Sequence, residues 1–119
     1  MIQVTESTVS GARVLRLAGK LDAAAAPSVE KQGLQAIQDG SRRMVLSLGE
    51  VEFISSAGLR AILNLVKKQS AGGGVLALCG PTPAVQEILK LAAFDTFISI
   101  YPDEAAALEA KDCRMPGKA

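Results

Sequence analysis

The sequence predicts an α/β fold with a mixed central sheet of four or five strands flanked by helices. Short apolar runs typical of strands alternate along the chain with longer segments that carry apolar residues at helical spacing. This alternation favours largely parallel pairing, and an opening hairpin adds an antiparallel strand. The chain has 119 residues and is 49% hydrophobic, which is enough for one domain with an ordinary packed core.

The predicted order of elements is β-β-α-β-α-β-α-β-α. Strands at 4–7 and 13–18 are joined by a turn at Ser10-Gly11, and arginines alternating with apolar residues in the second strand indicate one buried face. A helix over 23–38 follows. Pro27 lies in its first turn, where a missing N–H costs nothing, and Gly40 ends it.

The centre of the chain is predicted to contain a buried strand at 44–48 and a loop at 50–54. Ser55-Ser56 then opens the most strongly amphipathic helix of the chain, which ends at the glycines 72–74. Apolar residues recur in this helix at i, i+3, i+4 and i+7, a stripe typical of a core-facing helix. The residues of the stripe are Leu59, Ile62, Leu63 and Val66.

The last third is predicted to contain another buried strand at 75–79, ending in Cys79 as a small core residue. Thr82 caps a helix at 83–93, and a strand at 97–101 follows. A final helix at 102–110 is capped from Pro102-Asp103. We expect residues 1–110 to form the domain and 111–119, which include Cys113, to be a disordered C-terminal tail.

Composition excludes several classes of function. The formal net charge is +1, with three Phe, one Tyr and no Trp, so neither electrostatic attraction nor ring stacking favours nucleic acid or a membrane surface. The start of the chain has no signal-peptide pattern and no apolar run is long enough to span a bilayer, which predicts a cytoplasmic protein.

Enzyme chemistry is also disfavoured. The sequence has no histidine, which removes the most common general base and the usual partner of a catalytic serine or cysteine. Cys79 and Cys113 are too far apart in sequence to form a metal-ligand pair. We therefore predict no catalytic residues, no bound metal and no cofactor.

One short segment stands out as a candidate site, Ser55-Ser56-Ala57-Gly58. Its more common role is structural, since a serine before a helix accepts a hydrogen bond from an orphan backbone N–H. Its other role is that of a phosphate acceptor, because a helix N-terminus offers free donors and a partial positive charge. Gly58 is expected to leave room for a partner.

Two further features lie near this segment in the predicted fold. Asp22 follows the second strand and can cap the next helix. The side chains of Arg60, Asn64 and Lys67 follow Ser56 at spacings of three or four residues, away from the apolar stripe. We expect this polar side of the helix to be a partner surface.

Three segments together resemble the STAS domain, the domain of bacterial anti-sigma factor antagonists and of the cytoplasmic ends of sulfate transporters. They are Gly19-Lys20-Leu21-Asp22, Val45-Leu46-Ser47-Leu48, and the run from Val51 to Arg60. The resemblance extends over roughly residues 2–109. It implies a mixed sheet flanked by helices.

The resemblance also implies a partner-switching cycle. An unphosphorylated antagonist binds an anti-sigma factor that is also a serine kinase, the kinase uses its own ATP and Mg²⁺ to phosphorylate the antagonist, and a serine phosphatase resets it. The acceptor of the family corresponds to Ser56, with Ser55 as second candidate, and its strand-end aspartate corresponds to Asp22. The family often has aspartate where this chain has Ser55 and a polar residue such as aspartate or asparagine at the position of Ser47.

Two hypotheses of function therefore stand side by side. The first is a phosphorylation-controlled anti-sigma factor antagonist, a monomer or weak dimer whose partner surface comprises Asp22, Ser55, Ala57, Gly58, Arg60, Asn64 and Lys67. The second is a STAS-like subunit of a transport or signalling assembly that binds without being phosphorylated. Measuring the mass of the chain after incubation with a kinase and ATP distinguishes the two hypotheses.

Overall fold

A computed structural model describes residues 2–110, and the α/β fold and the predicted order of elements are confirmed there. The strands are β1 (Ile2–Val9), β2 (Ala12–Leu21), β3 (Arg43–Ile54), β4 (Val75–Cys79) and β5 (Ser99–Tyr101). The helices are α1 (Ala26–Gln38), α2 (Ser56–Ala71), α3 (Pro83–Leu91) and α4 (Glu104–Glu109), with a 3₁₀ turn at Phe94–Thr96. The predicted tail, with Cys113, lies outside the described residues.

The five strands form one mixed sheet in the order β1-β2-β3-β4-β5. The hairpin pairs β1 with β2 in antiparallel fashion, and the other neighbours pair in parallel. Each parallel pair is linked by one of the helices α1, α2 and α3. Because crossovers of this kind share one hand, these three helices cover the same face of the sheet.

The two faces of the sheet are covered very differently. The first face and the three linking helices share one large apolar cluster, which includes Leu15, Leu46, Leu65, Leu78 and Leu89. The second face carries a small cluster of Val14, Val45 and Cys79, closed by Ala107 of the six-residue α4. The prediction that Cys79 is a small core residue is confirmed, since it is fully buried.

Strand β3 is longer than predicted, and the loop expected at 50–54 is wrong. It pairs with β4 only as far as Ser47 but continues along β2 to Ile54. The pairing with β2 shifts by one residue at two places, so that β3 contains two β-bulges. Its core-facing residues are Met44, Leu46, Leu48, Val51 and Ile54, at spacings of two, two, three and three.

The helices also differ from the prediction in detail. Helix α3 ends two residues earlier than expected, at Leu91, and α4 begins two residues later, at Glu104. Helix α1 begins three residues later than expected, because residues 23–25 form a turn. The buried side of α2 comprises Gly58, Ala61, Ile62, Leu65, Val66 and Gln69, whereas Leu59 and Leu63 are only half-buried. The stripe expected from the apolar residues was therefore displaced toward one edge of the true core-facing side.

Neither a membrane-crossing helix nor a metal-binding cluster is found among residues 2–110. None of the described helices is long and apolar enough to cross a bilayer. No group of three or more His, Cys, Asp or Glu side chains is placed to hold a metal ion within that part of the chain.

Candidate functional site

The candidate site lies where β2 and β3 end, at the carboxyl edge of the parallel part of the sheet. The backbone N–H of Ser55 donates to the carbonyl oxygen of Leu21 at 2.9 Å, and this bond joins the two strand ends. Asp22 follows Leu21 directly, and Ser56 follows Ser55. The fold therefore brings the two predicted segments together, at the edge where ligands and partners of open α/β sheets most often bind.

Ser55 is the N-cap of α2. Its hydroxyl oxygen accepts a hydrogen bond from the Gly58 N–H at 3.2 Å, and its hydroxyl donates to the Leu21 carbonyl at 3.4 Å. Its carbonyl accepts the Leu59 N–H at 2.9 Å. Ser55 therefore has the structural role that the sequence offered as one of two possibilities for this segment.

Ser56 differs from its neighbour in the environment of its hydroxyl. It is the first residue of α2 and is exposed. Within residues 2–110 its hydroxyl has no hydrogen-bond partner, and the backbone N–H groups of Ser56 and Ala57 have none either. An accessible hydroxyl thus lies beside two unpaired donors at the positive end of a sixteen-residue helix.

Asp22 organises the turn that leads into α1. Its carboxylate oxygen Oδ1 accepts from the Ala25 N–H at 3.0 Å. Its carbonyl oxygen accepts from the N–H groups of Ala25 and Ala26. Asp22 therefore shapes the turn beside Ser55. The expectation that it caps α1 is wrong, because the N-cap residue of α1 is Ala25 and no side chain accepts a capping hydrogen bond there.

The expectation that Gly58 leaves room for a partner is wrong. Gly58 is buried, and a Cβ atom there would lie 2.5 Å from the Leu21 carbonyl oxygen, 2.9 Å from Leu21 Cγ and 3.0 Å from Ile54 Cγ2. The chain itself requires a glycine at this position, because α2 starts directly against the ends of β2 and β3 and leaves no space for a side chain.

The polar side of α2 is only partly as predicted. Arg60 and Lys67 are exposed on the same side as Ser56. Asn64 is half-buried, and its Nδ2 donates to Glu30 Oε2 of α1 at 3.2 Å. Asn64 thus joins two helices of this chain, which corrects its placement on the open polar surface.

One residue beside the serines was missed by the sequence analysis. Phe53 lies in the part of β3 that was expected to be a loop, and 44% of its surface is exposed. A phenylalanine beside Ile54 in a short segment that also contains two glutamates carries no clear sequence signal for exposure. The exposure of Phe53 follows from the irregular pairing of β3 with β2, which only the structure shows.

On the second face of the sheet, Arg16 of β2 forms an ion pair with Glu104 of α4. Arg16 donates from Nε and Nη2 to the two carboxylate oxygens at 2.7 and 2.9 Å. This hydrogen-bonded pair lowers the pKa of Glu104 and raises the pKa of Arg16. Burial raises the pKa of the neighbouring Cys79 thiol, and a hydrogen bond with Ser47 partly opposes that rise. The side chain of Cys79 is thus part of the buried packing on the second face.

Comparison with known families identifies the fold and its relatives. A family model described as STAS domain matches residues 3–107. The chain belongs to the STAS domain family. The fold class and the resemblance noted from the sequence are thereby confirmed.

Proteins similar to this STAS domain are named as anti-sigma factor antagonists. One is BtrV of Bordetella bronchiseptica, 34% identical over 115 residues, which cover 97% of this chain and 99% of that protein. Another is the anti-sigma F factor antagonist of Paenibacillus polymyxa, 32% identical over 90% of this chain and 92% of that protein. A Thermotoga maritima crystal structure described as that of an anti-sigma factor antagonist superposes with a TM-score of 0.85 at 28% identity, covering 89% of this chain and 92% of that one.

Proposed function

We propose that this STAS domain is an anti-sigma factor antagonist whose partner binding is switched by phosphorylation of Ser56. The observation that carries the proposal is the difference between the two adjacent serines. The Ser55 hydroxyl is committed to the cap of α2, whereas the Ser56 hydroxyl is exposed and unbonded within the described residues. A kinase can reach Ser56 without disturbing the start of the helix.

The start of α2 is suited to hold the phosphate. Phosphorylation adds a charge of about −1.5 to −2 together with acceptor oxygens. The unpaired N–H groups of Ser56 and Ala57 can donate to those oxygens, and the helix dipole favours negative charge at this end. The fold should therefore tolerate the modification.

A partner fitted to the neutral hydroxyl does not tolerate that charge. A loss of only about 3 kcal/mol in binding free energy weakens an affinity by about a hundredfold, which is enough to exchange one partner for another. The partner in this proposal is an anti-sigma factor with serine kinase activity, which brings its own ATP and Mg²⁺. A serine phosphatase restores the hydroxyl and closes the cycle.

The test uses purified anti-sigma factor kinases of the source organism with Mg-ATP. We expect one of them to bind the unmodified chain and to add the mass of one phosphoryl group at Ser56, as peptide mass spectrometry would show. Ser56→Ala should remain unmodified, and Ser55→Ala should still be phosphorylated at Ser56. Modification of Ser55 instead of Ser56 would contradict the assignment of the acceptor. Binding without any modification would favour a STAS subunit that works without phosphorylation.

The effect of charge alone is tested with Ser56→Asp, which should unfold at the same urea concentration as the wild type and bind that kinase about a hundredfold more weakly. Ser70→Asp is a matched control, because Ser70 is also exposed on α2 but lies fourteen residues, or about 21 Å, further along the helix. It should bind like the wild type. Equal affinity for Ser56→Asp and the wild type would contradict the switch.

A further inference from the structure

Two large apolar side chains are exposed within residues 2–110, Phe53 at 44% and Leu91 at 79%. A single exposed apolar residue is ordinary on a protein surface, so exposure alone indicates nothing. The two differ in location, because Leu91 ends α3 whereas Phe53 lies at the carboxyl edge beside the candidate site. Phe53 is also a member of neither apolar cluster of the chain.

The two β-bulges of β3 determine what surrounds Phe53. Val51 and Ile54 both face the core, and Phe53 between them faces outward. Strict alternation from the buried Leu48 would direct Glu50 and Glu52 into the core. With the bulges, both glutamates are exposed instead. The result is an exposed ring with charged neighbours, an arrangement typical of a binding anchor with a polar rim.

Phe53 is close enough to Ser56 to share its interface. Three peptide units separate their Cα atoms, so these are at most about 11 Å apart. A stable interface covers about 800 Å² on each partner, equivalent to a disc of about 16 Å radius. A partner centred on Ser56 therefore extends past the backbone of Phe53.

We propose that Phe53 is an apolar anchor of the interface around Ser56, buried in an apolar pocket of the kinase-type anti-sigma factor. This inference rests on the proposed function and adds a residue whose contribution does not depend on charge. A second copy of the chain is the poorer occupant. A two-fold interface through Phe53 would bring Glu50 and Glu52 of both copies together, and like charges at an interface repel. The exposed Lys20, which pairs with Phe53 from β2, offsets only one of the two negative charges in each copy.

The experiment measures the affinity of Phe53→Ala for the anti-sigma factor kinase that binds and phosphorylates the wild type. We expect a roughly 10- to 100-fold loss, in the range of truncated aromatic anchors. Phe53→Leu should recover most of the affinity. Because the contact is apolar, the loss should be the same at low and at raised ionic strength.

Leu91→Ala is the matched control, since it removes the other exposed apolar side chain and should leave the affinity unchanged. Phe53→Ala should fold normally, with an unaltered circular dichroism spectrum and melting temperature, because Phe53 lies outside both clusters. At saturating kinase, Ser56 of this variant should still be phosphorylated.

The outcomes separate the two proposals. If the kinase binds Phe53→Ala and the wild type equally well, the anchor is wrong and the switch at Ser56 stands. If no kinase binds or phosphorylates the wild type, both proposals are wrong. If gel filtration shows a wild-type dimer that Phe53→Ala abolishes, Phe53 serves a second copy and the anchor for a kinase is overturned.

Discussion

The carboxyl edge of the sheet and helix α4 are attached to the rest of the chain in opposite ways. At the edge, the start of α2 packs directly on the ends of β2 and β3, through the buried Gly58 and the bond from Ser55 to Leu21. Helix α4 has six residues and is held largely by arginines. The exposed hydroxyl of Ser56 thus stands on the region where backbone packs directly on backbone.

The contacts of α4 lie closer to solvent. In the pair between Arg16 and Glu104, the side chains are 40% and 29% exposed. From β3, Arg43 Nη2 donates to the carbonyl oxygens of Ala107, Leu108 and Ala110 at 3.0, 2.6 and 2.6 Å. Solvent screens the partly exposed pair between Arg16 and Glu104, so its contribution is small. Tight packing of backbone on backbone thus supports the candidate site, whereas α4 is held on the second face by polar contacts and the single buried side chain of Ala107.

The largest expected effect concerns the packing beneath the site. Gly58→Ala would place a methyl group 2.5 Å from the Leu21 carbonyl oxygen, and overpacking of this kind costs about 1–3 kcal/mol. Urea unfolding should show this loss. Gly49→Ala is the control, because its methyl group would meet only Gly80, at 3.7 Å. Equal losses in the two variants would show that the edge is not tightly packed.

A smaller effect distinguishes the two serines. Ser55→Ala removes the cap of α2 and should lower the free energy of unfolding by about 1 kcal/mol. Ser56→Ala removes a hydroxyl without a partner in the described chain and should change it little. Thermal and urea unfolding of both variants measure the difference. A larger loss for Ser56→Ala would reverse the structural roles given to the two residues.

The smallest effect is expected at α4. Glu104→Gln should cost about 0.5–1 kcal/mol at neutral pH, because solvent screens a partly exposed pair. The pKa of Glu104 is lowered in the folded state, so its contribution is present above the ordinary glutamate value of 4.5 and is lost as the pH falls below it. Urea unfolding across this range should show the two proteins converging in acid.

Glu109→Gln is the control for this prediction. Glu109 is an exposed glutamate on the same helix, with no ion pair within the described residues. Its replacement should change the free energy of unfolding little at any pH. A gap between wild type and Glu104→Gln that widened in acid would contradict the role given to the ion pair.

The order of elements was predictable because it depends on local patterns. Thr82 and Asp103 cap α3 and α4 as expected, since a cap is formed within four residues of chain. The contacts of α4 were not predictable, because Arg16 and Glu104 are 88 residues apart in sequence. Nothing local to either residue indicates its partner.

The candidate site was predictable to a similar extent. The position of the two serines at the start of α2 followed from the amphipathic pattern after them. Which serine caps the helix and which has a free hydroxyl within residues 2–110 is shown only by the hydrogen bonds of the structure. The buried side of α2 contains Gly58, Ala61 and Gln69, which have a weak apolar signal or none. The polar Asn64 carried no sign that it would contact Glu30 of α1.

The two β-bulges of β3 add two residues to the strand and keep its apolar side chains directed toward the core. Omitting Gly49 and Glu52 would leave Leu48, Val51 and Ile54 in regular alternation toward the interior, with Glu50 and Phe53 outside. Residues at the two extra positions, 49 and 52, therefore do not have to pack in the core. Substitutions there should therefore change the surface of the domain at this edge while the core of the sheet stays unchanged.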